Sequence, residues 1–276
     1  MSTSYCFEVG KLKCVAVADG SRHYETELLF ANASQEELRQ ALDEHGLGLP
    51  ELDIPYTPLA VQIEGQWVLV DTGAGVRKDA PVGQVVQNLV AAGIDPAEVA
   101  VVILTHGHTD HIGGLTDEEG ALQFEKARYV MGKRDWDFWR AEDNLRELGW
   151  ESIIPFMESK LGSIAGRVEM VEEAQEILPG VRVVPAQGHT PGHMTAVFAS
   201  EGKELWSTGD ALISPIHLQY PEWYTVYDLD PEQAIEAKRR ILQETARGAM
   251  VHAYHFAFPG IGRVSRAGEG WKWQAV

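Results

Sequence analysis

The chain contains 276 residues, 45% hydrophobic and 23% charged, a balance that supports a full core in an ordinary globular protein. No stretch approaches the ~18 consecutive apolar residues that a membrane-spanning helix needs, so a membrane protein is excluded. With 23 Lys and Arg against 41 Asp and Glu, the formal net charge is −18, which repels polyanions and argues against a nucleic-acid partner.

Cys6 and Cys14 are too few for a disulfide framework and wrongly spaced for a zinc knuckle, so free thiols are expected. The opening MSTSYCFEVGKLKC lacks the basic region followed by an apolar one that marks a signal peptide. Both features predict a cytoplasmic location. The first expected strand covers residues 14–18. Ser34 followed by Glu37 forms a capping box and opens a helix expected to reach about His45. Short apolar runs then predict strands over 59–63 and 67–70, joined by a tight hairpin at Gly65, and further strands over 101–104 and 128–131. Residues 132–162 carry Trp136, Phe138, Trp139, Trp150, Phe156 and Met157 among many charges. One or two helices there either pack on the core or form a helical, substrate-facing insertion. Strands are expected again over 181–184, 195–199 and 205–207. Asp230, Pro231 and Gln233 supply an N-cap and a first turn for a helix running to about Arg247, where Gly248 ends it. Hairpins early and strand–helix alternation later predict sheets sandwiched between helical layers, as one domain over residues 1–276.

The chemistry is concentrated in four loops. After the apolar run Val101-Val-Ile-Leu comes Thr105-His106-Gly-His108-Thr-Asp110-His111. His106 and His108 are two apart, so in extended backbone both rings face one side. Three imidazoles and a carboxylate within six residues supply the N and O ligands that zinc and similar divalent cations prefer. Gly188-His189-Thr-Pro-Gly-His193 and Gly209-Asp210 each follow another expected strand, and His252-Ala-Tyr-His255 ends another short apolar run. Seven residues, His106, His108, Asp110, His111, His189, Asp210 and His255, match the ligand number of a binuclear site.

This ordered set, preceded by Asp71-Thr72-Gly73, resembles the metallo-β-lactamase superfamily of hydrolases over roughly residues 59–264. The resemblance implies an α+β fold, a four-layer αββα sandwich with the site at one edge of the sheets. It also implies that His106, His108 and His189 hold one metal, and that Asp110, His111 and His255 hold the other. Asp210 bridges both, together with a hydroxide, and Asp71 and His193 orient ligands from outside. His252 is expected to pack or hydrogen-bond within the structure. The stretches around Asp210 to Trp223 and His255 to Arg263 are similar to the branch that contains methyl parathion hydrolase and the lactone and aryl-ester hydrolases, and more distantly to the N-acyl homoserine lactonases. One departure stands out: those lactonases carry a Tyr three residues after the bridging Asp, and here that residue is Ile213.

The expected activity is therefore hydrolysis of a small-molecule lactone or carboxylic ester by a hydroxide shared between two divalent cations, with Asp110 and Asp210 as the catalytic carboxylates. Zinc is the first choice of metal, and manganese, cobalt or iron also suit the ligand set. Trp136, Trp139, His217, Tyr220, Trp223, Phe256 and Phe258 are candidates for the substrate pocket. Alternatives are phosphotriester hydrolysis of the methyl parathion hydrolase type and a thioesterase of the glyoxalase II type. A homodimer is the commonest alternative to a monomer.

Overall fold

The computed structural model describes residues 2–276. In chain order its strands are β1 (Ser4–Val9), β2 (Leu12–Val17), β3 (Gly20–Glu25), β4 (Glu51–Tyr56), β5 (Leu59–Ile63), β6 (Gln66–Val70), β7 (Val99–Leu104), β8 (Arg128–Gly132), β9 (Val168–Val171), β10 (Gln175–Leu178), β11 (Val181–Pro185), β12 (Met194–Ser200), β13 (Lys203–Ser207), β14 (Met250–His252), β15 (Ile261–Ala267) and β16 (Gly270–Ala275). The helices are α1 (Thr26–Leu29), α2 (Gln35–Glu44), α3 (Val85–Ala91), α4 (Thr109–Ile112), α5 (Lys133–Arg140), α6 (Glu142–Glu147), α7 (Ile154–Ile164), α8 (Ile216–Gln219) and α9 (Pro231–Thr245).

Two seven-stranded sheets form the frame, in the orders β1-β2-β5-β6-β7-β8-β9 and β10-β11-β12-β13-β14-β15-β16, and β3 pairs only with β4. Period-2 alternation decides which side chains fill which layer. In β6 and β7, Val68, Val70, Val101 and Ile103 point between the sheets, where they meet Val183, Ala196, Phe198 and Leu205 of the second sheet. Their alternates Trp67, Leu69, Val102 and Leu104 point outward and pack against Leu89 of α3, Trp139 of α5 and Leu161 of α7. On the far face of the second sheet, Val197, Trp206 and Val251 are covered by Ala237, Ile241 and Leu242 of α9. The result is four layers, helix, sheet, sheet, helix, as expected from the sequence. Strands buried on both faces read as continuous apolar runs, which is why β7 was legible.

Both expected caps form. Ser34 Oγ accepts from the Glu37 N–H at 3.3 Å and donates to Glu37 Oε2 at 2.5 Å. Asp230 Oδ1 accepts from the Gln233 N–H at 3.0 Å. Half the strands were not expected: β1, β3, β4, β9, β10, β14, β15 and β16. Most of these lie at or near sheet edges, where exposed and buried residues mix and no clean apolar run exists, as in the half-exposed Gln175–Leu178. Among the described residues, no helix is long and apolar enough to cross a membrane.

Topology sets where the loops gather. β6, β7, β8 and β9 run parallel, as do β13 and β14, so the segments following β6, β7, β13 and β14 emerge at one edge of the sandwich. Ligands bind outside the C-terminal ends of such strands. His252, at the end of β14, ties the two sheets together: its Nδ1 lies 2.8 Å from Ser207 Oγ, and its Nε2 lies 2.7 Å from the Thr57 carbonyl just ahead of β5.

Burial pushes the His252 imidazole down to about 4, so it stays neutral in the fold while the unfolded chain titrates near the usual 6.5. Between those values the unfolded state binds more protons, and the contribution of His252 to stability is lost as pH falls from 6.5 through 4. Urea midpoints measured across that window should fall with acidification, and the His252→Gln variant should show a shallower fall than the wild type.

Candidate metal centre

The residues that hold the site are placed by short, constrained turns. After β6, Asp71 adopts a left-handed backbone, φ 60°, which Asp tolerates better than most residues. Its carboxylate faces the next parallel strand. Oδ1 accepts from the Thr105 N–H at 2.8 Å, and Oδ2 accepts from Thr105 Oγ1 and from His111 Nδ1, each at 2.8 Å. Thr105 Oγ1 in turn lies 3.0 Å from His106 Nδ1. One carboxylate therefore orients both His106 and His111.

The structure brings all seven expected ligands together in two adjoining groups: His106, His108, His189 and Asp210, and Asp110, His111 and His255. His108 Nδ1 lies 3.0 Å from His106 Nε2 and 2.8 Å from His189 Nε2. Asp210 is set between the groups. Its Oδ2 is 3.2 Å from His189 Nε2 and 3.8 Å from His106 Nε2, while its Oδ1 is 3.0 Å from His111 Nε2 and 3.2 Å from His255 Nε2. Asp110 Oδ2 completes the second group, 3.7 Å from His111 Nε2 and 3.6 Å from His255 Nε2.

The donor set fits divalent cations on two counts. Ligands about 2.0–2.1 Å from a tetrahedral ion sit roughly 3.3 Å from one another, and the distances above bracket that value. The outward nitrogens of four of the five histidines are also already engaged: His106 with Thr105, His111 with Asp71, His189 Nδ1 with Asp228 Oδ1 at 2.7 Å, and His255 Nδ1 with the Pro55 carbonyl at 3.1 Å; the fifth, His108, turns Nδ1 inward and leaves Nε2 buried without a partner among the described residues. These partners leave the inward nitrogens as lone pairs. His111 Nε2 and Asp210 Oδ1 are buried without a hydrogen-bond partner among the described residues.

The electrostatics agree. Burial, then the neighbouring imidazoles, hold His106 and His108 well below the ordinary histidine value. Burial opposes charge on His189 and His111 too, but carboxylates outweigh it. Asp210 and Asp228 raise His189 to about 9, and Asp210, Asp71 and Asp110 lift His111 well above the ordinary value. Burial likewise opposes charge on Asp210, yet the surrounding imidazoles, His255 first, hold its carboxyl well below the usual range. Cation binding here displaces protons.

His193 lies outside the ligand ring. Its Nε2 accepts from the Asp210 N–H at 3.0 Å and its Nδ1 lies 3.1 Å from the Ala186 carbonyl, and burial lowers it to about 3. A Cβ at Gly209, where φ is +51°, would come within 2.7 Å of that Nε2, so this turn requires glycine.

Sequence reasoning missed two carboxylates. Asp228 anchors His189, and nothing in its local sequence marks it. Asp135, fully buried on α5, accepts from the Gly107 N–H at 2.8 Å, from Trp139 Nε1 at 3.0 Å and from the Gly192 N–H at 2.6 Å. It fastens the His106–His108 loop to the His189–His193 loop. A signal existed: Asp135 and Trp139 are four apart, hence on one helix face, so a charge shares the apolar side.

A cavity of about 500 Å³ opens over the centre. Its walls include Tyr24, Ile54 and Ile213, which share one apolar cluster, Trp150, Ile153 and Met157, which share another, and Leu28 and Tyr227. The expected pocket residues lie elsewhere. Trp136 and Trp139 point from α5 into the core, where Trp139 backs His108 with ring centroids 5.1 Å apart. His217 is buried against Phe30, its Nε2 3.1 Å from the Leu29 carbonyl. Tyr220 and Trp223 stack on each other at 4.2 Å beside α2, Phe256 packs on Trp273, and Phe258 does not reach the cavity wall. These residues are close to the ligands in sequence, but the strand ends turn them away, and residues 22–54 supply the facing wall instead. A larger cleft of about 630 Å³ among residues 72–123 carries none of the ligands.

The model of the metallo-beta-lactamase superfamily matches residues 57–247, and the chain belongs to that superfamily. An N-acyl homoserine lactonase of a Bacillus species is 25% identical over 169 residues, covering 54% of this chain and 60% of the relative. One from Bacillus thuringiensis is 25% identical over 159 residues, 57% of this chain and 56% of the relative. The chain thus spans little more than half the length of these relatives. The solved structure of AidC, a dizinc quorum-quenching lactonase in complex with a product, superposes with a TM-score of 0.91 at 23% identity, covering 100% of this chain and 99% of that one. The hydrolase AbOPH gives 0.93 at 23% identity, covering 100% and 98%. At that identity the likeness establishes the fold.

Removing His189 with His189→Ala should leave one cation per chain after dialysis, whereas His193→Ala and Asp135→Asn should retain two with affinity lowered about 10- to 100-fold. Elemental analysis and competition with a chelator check this. Loss of an ion in His193→Ala with two retained in His189→Ala would reverse the roles given to these two residues.

Proposed function

We propose that the protein is a binuclear metal-dependent hydrolase of lactones, with zinc as the preferred ion. The observation that carries this reading is the Asp210 carboxylate held between two groups of imidazoles on the floor of a half-apolar cavity. The similarity to N-acyl homoserine lactonases supports the choice of substrate class. Bound divalent cations supply Lewis acidity, which lowers the pKa of water toward neutrality and polarises an ester carbonyl.

This chain's residues account for the remaining requirements. Asp210 contributes one oxygen to each ligand group and so fixes their separation. Asp110 is partly exposed, its side chain 17% accessible, and it lines the cavity, where it can take a proton from attacking water and return it to the departing oxygen. The Tyr254 hydroxyl donates to the Asp110 carbonyl at 2.7 Å and steadies that turn. Trp150, Ile153, Met157, Leu28 and Ile54 form an apolar cleft that accepts a flat ring and an acyl chain while shedding water. A phosphotriester, tetrahedral from the outset and bulkier, fits less easily between those walls.

Elemental analysis should give two ions per chain, and chelation should abolish turnover. Assayed side by side at equal metal content, lactones or activated aryl esters should show the highest kcat/KM, phosphotriesters less and β-lactams little. A phosphotriester preferred by more than about tenfold, roughly 1.4 kcal/mol of differential transition-state binding, would overturn the lactone reading.

A further inference from the structure

Hydrolysis of a lactone builds negative charge on substrate oxygen, and a fixed hydrogen-bond donor facing that oxygen accelerates the step. Ile213 lines the cavity and offers no donor. Another residue of the cavity wall does. Tyr56 is 2% exposed, and the partner of its hydroxyl among the described residues is the Tyr24 hydroxyl, 2.5 Å away. A buried hydroxyl that leaves its hydrogen unused is strongly disfavoured, so Tyr56 donates and the Tyr24 oxygen accepts. The hydrogen of Tyr24 is then unspent, and Tyr24 stands half-buried on the cavity wall.

The pair is held from both sides. The Tyr56 ring meets His255 edge-on, centroids 5.4 Å apart, and the Tyr24 ring meets Tyr227 edge-on at 6.0 Å. Burial, and then the Asp110 carboxylate, push the Tyr24 phenol upward, so it remains a neutral donor, within electrostatic reach of a residue of the metal centre. Accepting from Tyr56 also polarises the Tyr24 O–H and strengthens it as a donor. Other donors in the wall are less suited: Arg22 pairs outward with Asp79 at 3.3 Å, and the Tyr227 hydroxyl has no partner among the described residues to fix its direction.

We propose that Tyr24 is a catalytic residue whose hydroxyl donates to the substrate oxygen on which negative charge develops, with Tyr56 the positioning residue behind it. The assignment rests on the lactonase reading. Its test compares wild type, Tyr24→Phe, Tyr56→Phe and Tyr227→Phe, all loaded with zinc, on an N-acyl homoserine lactone and an aryl ester. Tyr24→Phe should keep two ions per chain and remain folded, its melting temperature lowered by about a few degrees because the Tyr56 hydroxyl loses its acceptor, with kcat lowered roughly 10- to 100-fold and KM within about threefold. Tyr56→Phe should show a smaller loss, also in kcat. A Tyr24→Phe enzyme within about twofold of wild-type kcat, a larger loss in Tyr227→Phe, or loss of metal from Tyr24→Phe overturns the assignment alone. A wild type that binds two ions and hydrolyses neither substrate overturns the lactonase reading and the assignment with it.

Discussion

A carboxylate buried without compensation costs several kcal/mol, and the centre of this protein is built around one that is compensated. Asp210 is almost wholly buried, with the inward nitrogens of His106, His111, His189 and His255 between 3.0 and 3.8 Å from its oxygens. No single element could supply that many imidazoles. They come from loops that meet because β6 to β9 run parallel in one sheet and β13 pairs parallel with β14 in the other. The sandwich is thus the means of bringing distant stretches of chain to one edge.

Behind the imidazoles stands a second set of carboxylates. Asp71 orients His106 through Thr105 and His111 directly, Asp228 orients His189, and Asp135 fastens the two histidine loops by their backbones. Among the described residues, no Lys or Arg bonds to any of them. Buried negative charge answered by imidazoles, backbone N–H groups, the Thr105 hydroxyl and the Trp139 indole is an environment in need of cations, and it raises the basicity of the ligand nitrogens whose rings it engages. The surplus of acidic residues in the composition is therefore found at the centre as well as on the surface.

The candidate ligand cluster was legible because metal chemistry demands particular residue types at short spacing, and His106 to His111 lie within six positions. The central strands were legible because burial on both faces leaves uninterrupted apolar runs. Edge strands such as β10 carry no such run, and residues that act from a distance leave no local mark. Asp228 looks like any acid ahead of a helix cap. The pocket was the least legible part. Aromatics near the ligands in sequence, Trp136, Trp139, Trp223 and Phe256, turned out to fill cores, since large apolar side chains are drawn first to burial. The facing wall arises from residues 22–54, far upstream of the first ligand, and only tertiary structure brings it there.

The β3–β4 pair belongs to neither large sheet and packs through its own cluster with α1 and α2. Its recorded hydrogen bond to the metal centre is from His255 to the Pro55 carbonyl. The ribbon's part of the cavity wall and the ligand set are accordingly carried by separate stretches of chain, with Tyr24 and Tyr56 of the ribbon the proposed link to the chemistry. Exchanges within this ribbon that keep Tyr24 and Tyr56 can remodel the cavity while the ligand geometry, carried by the sandwich, persists. Such a division gives a hydrolase of this architecture room to diversify by altering one peripheral two-stranded ribbon, and it makes the positions of that ribbon other than Tyr24 and Tyr56 the natural ones to vary in a library seeking new selectivity.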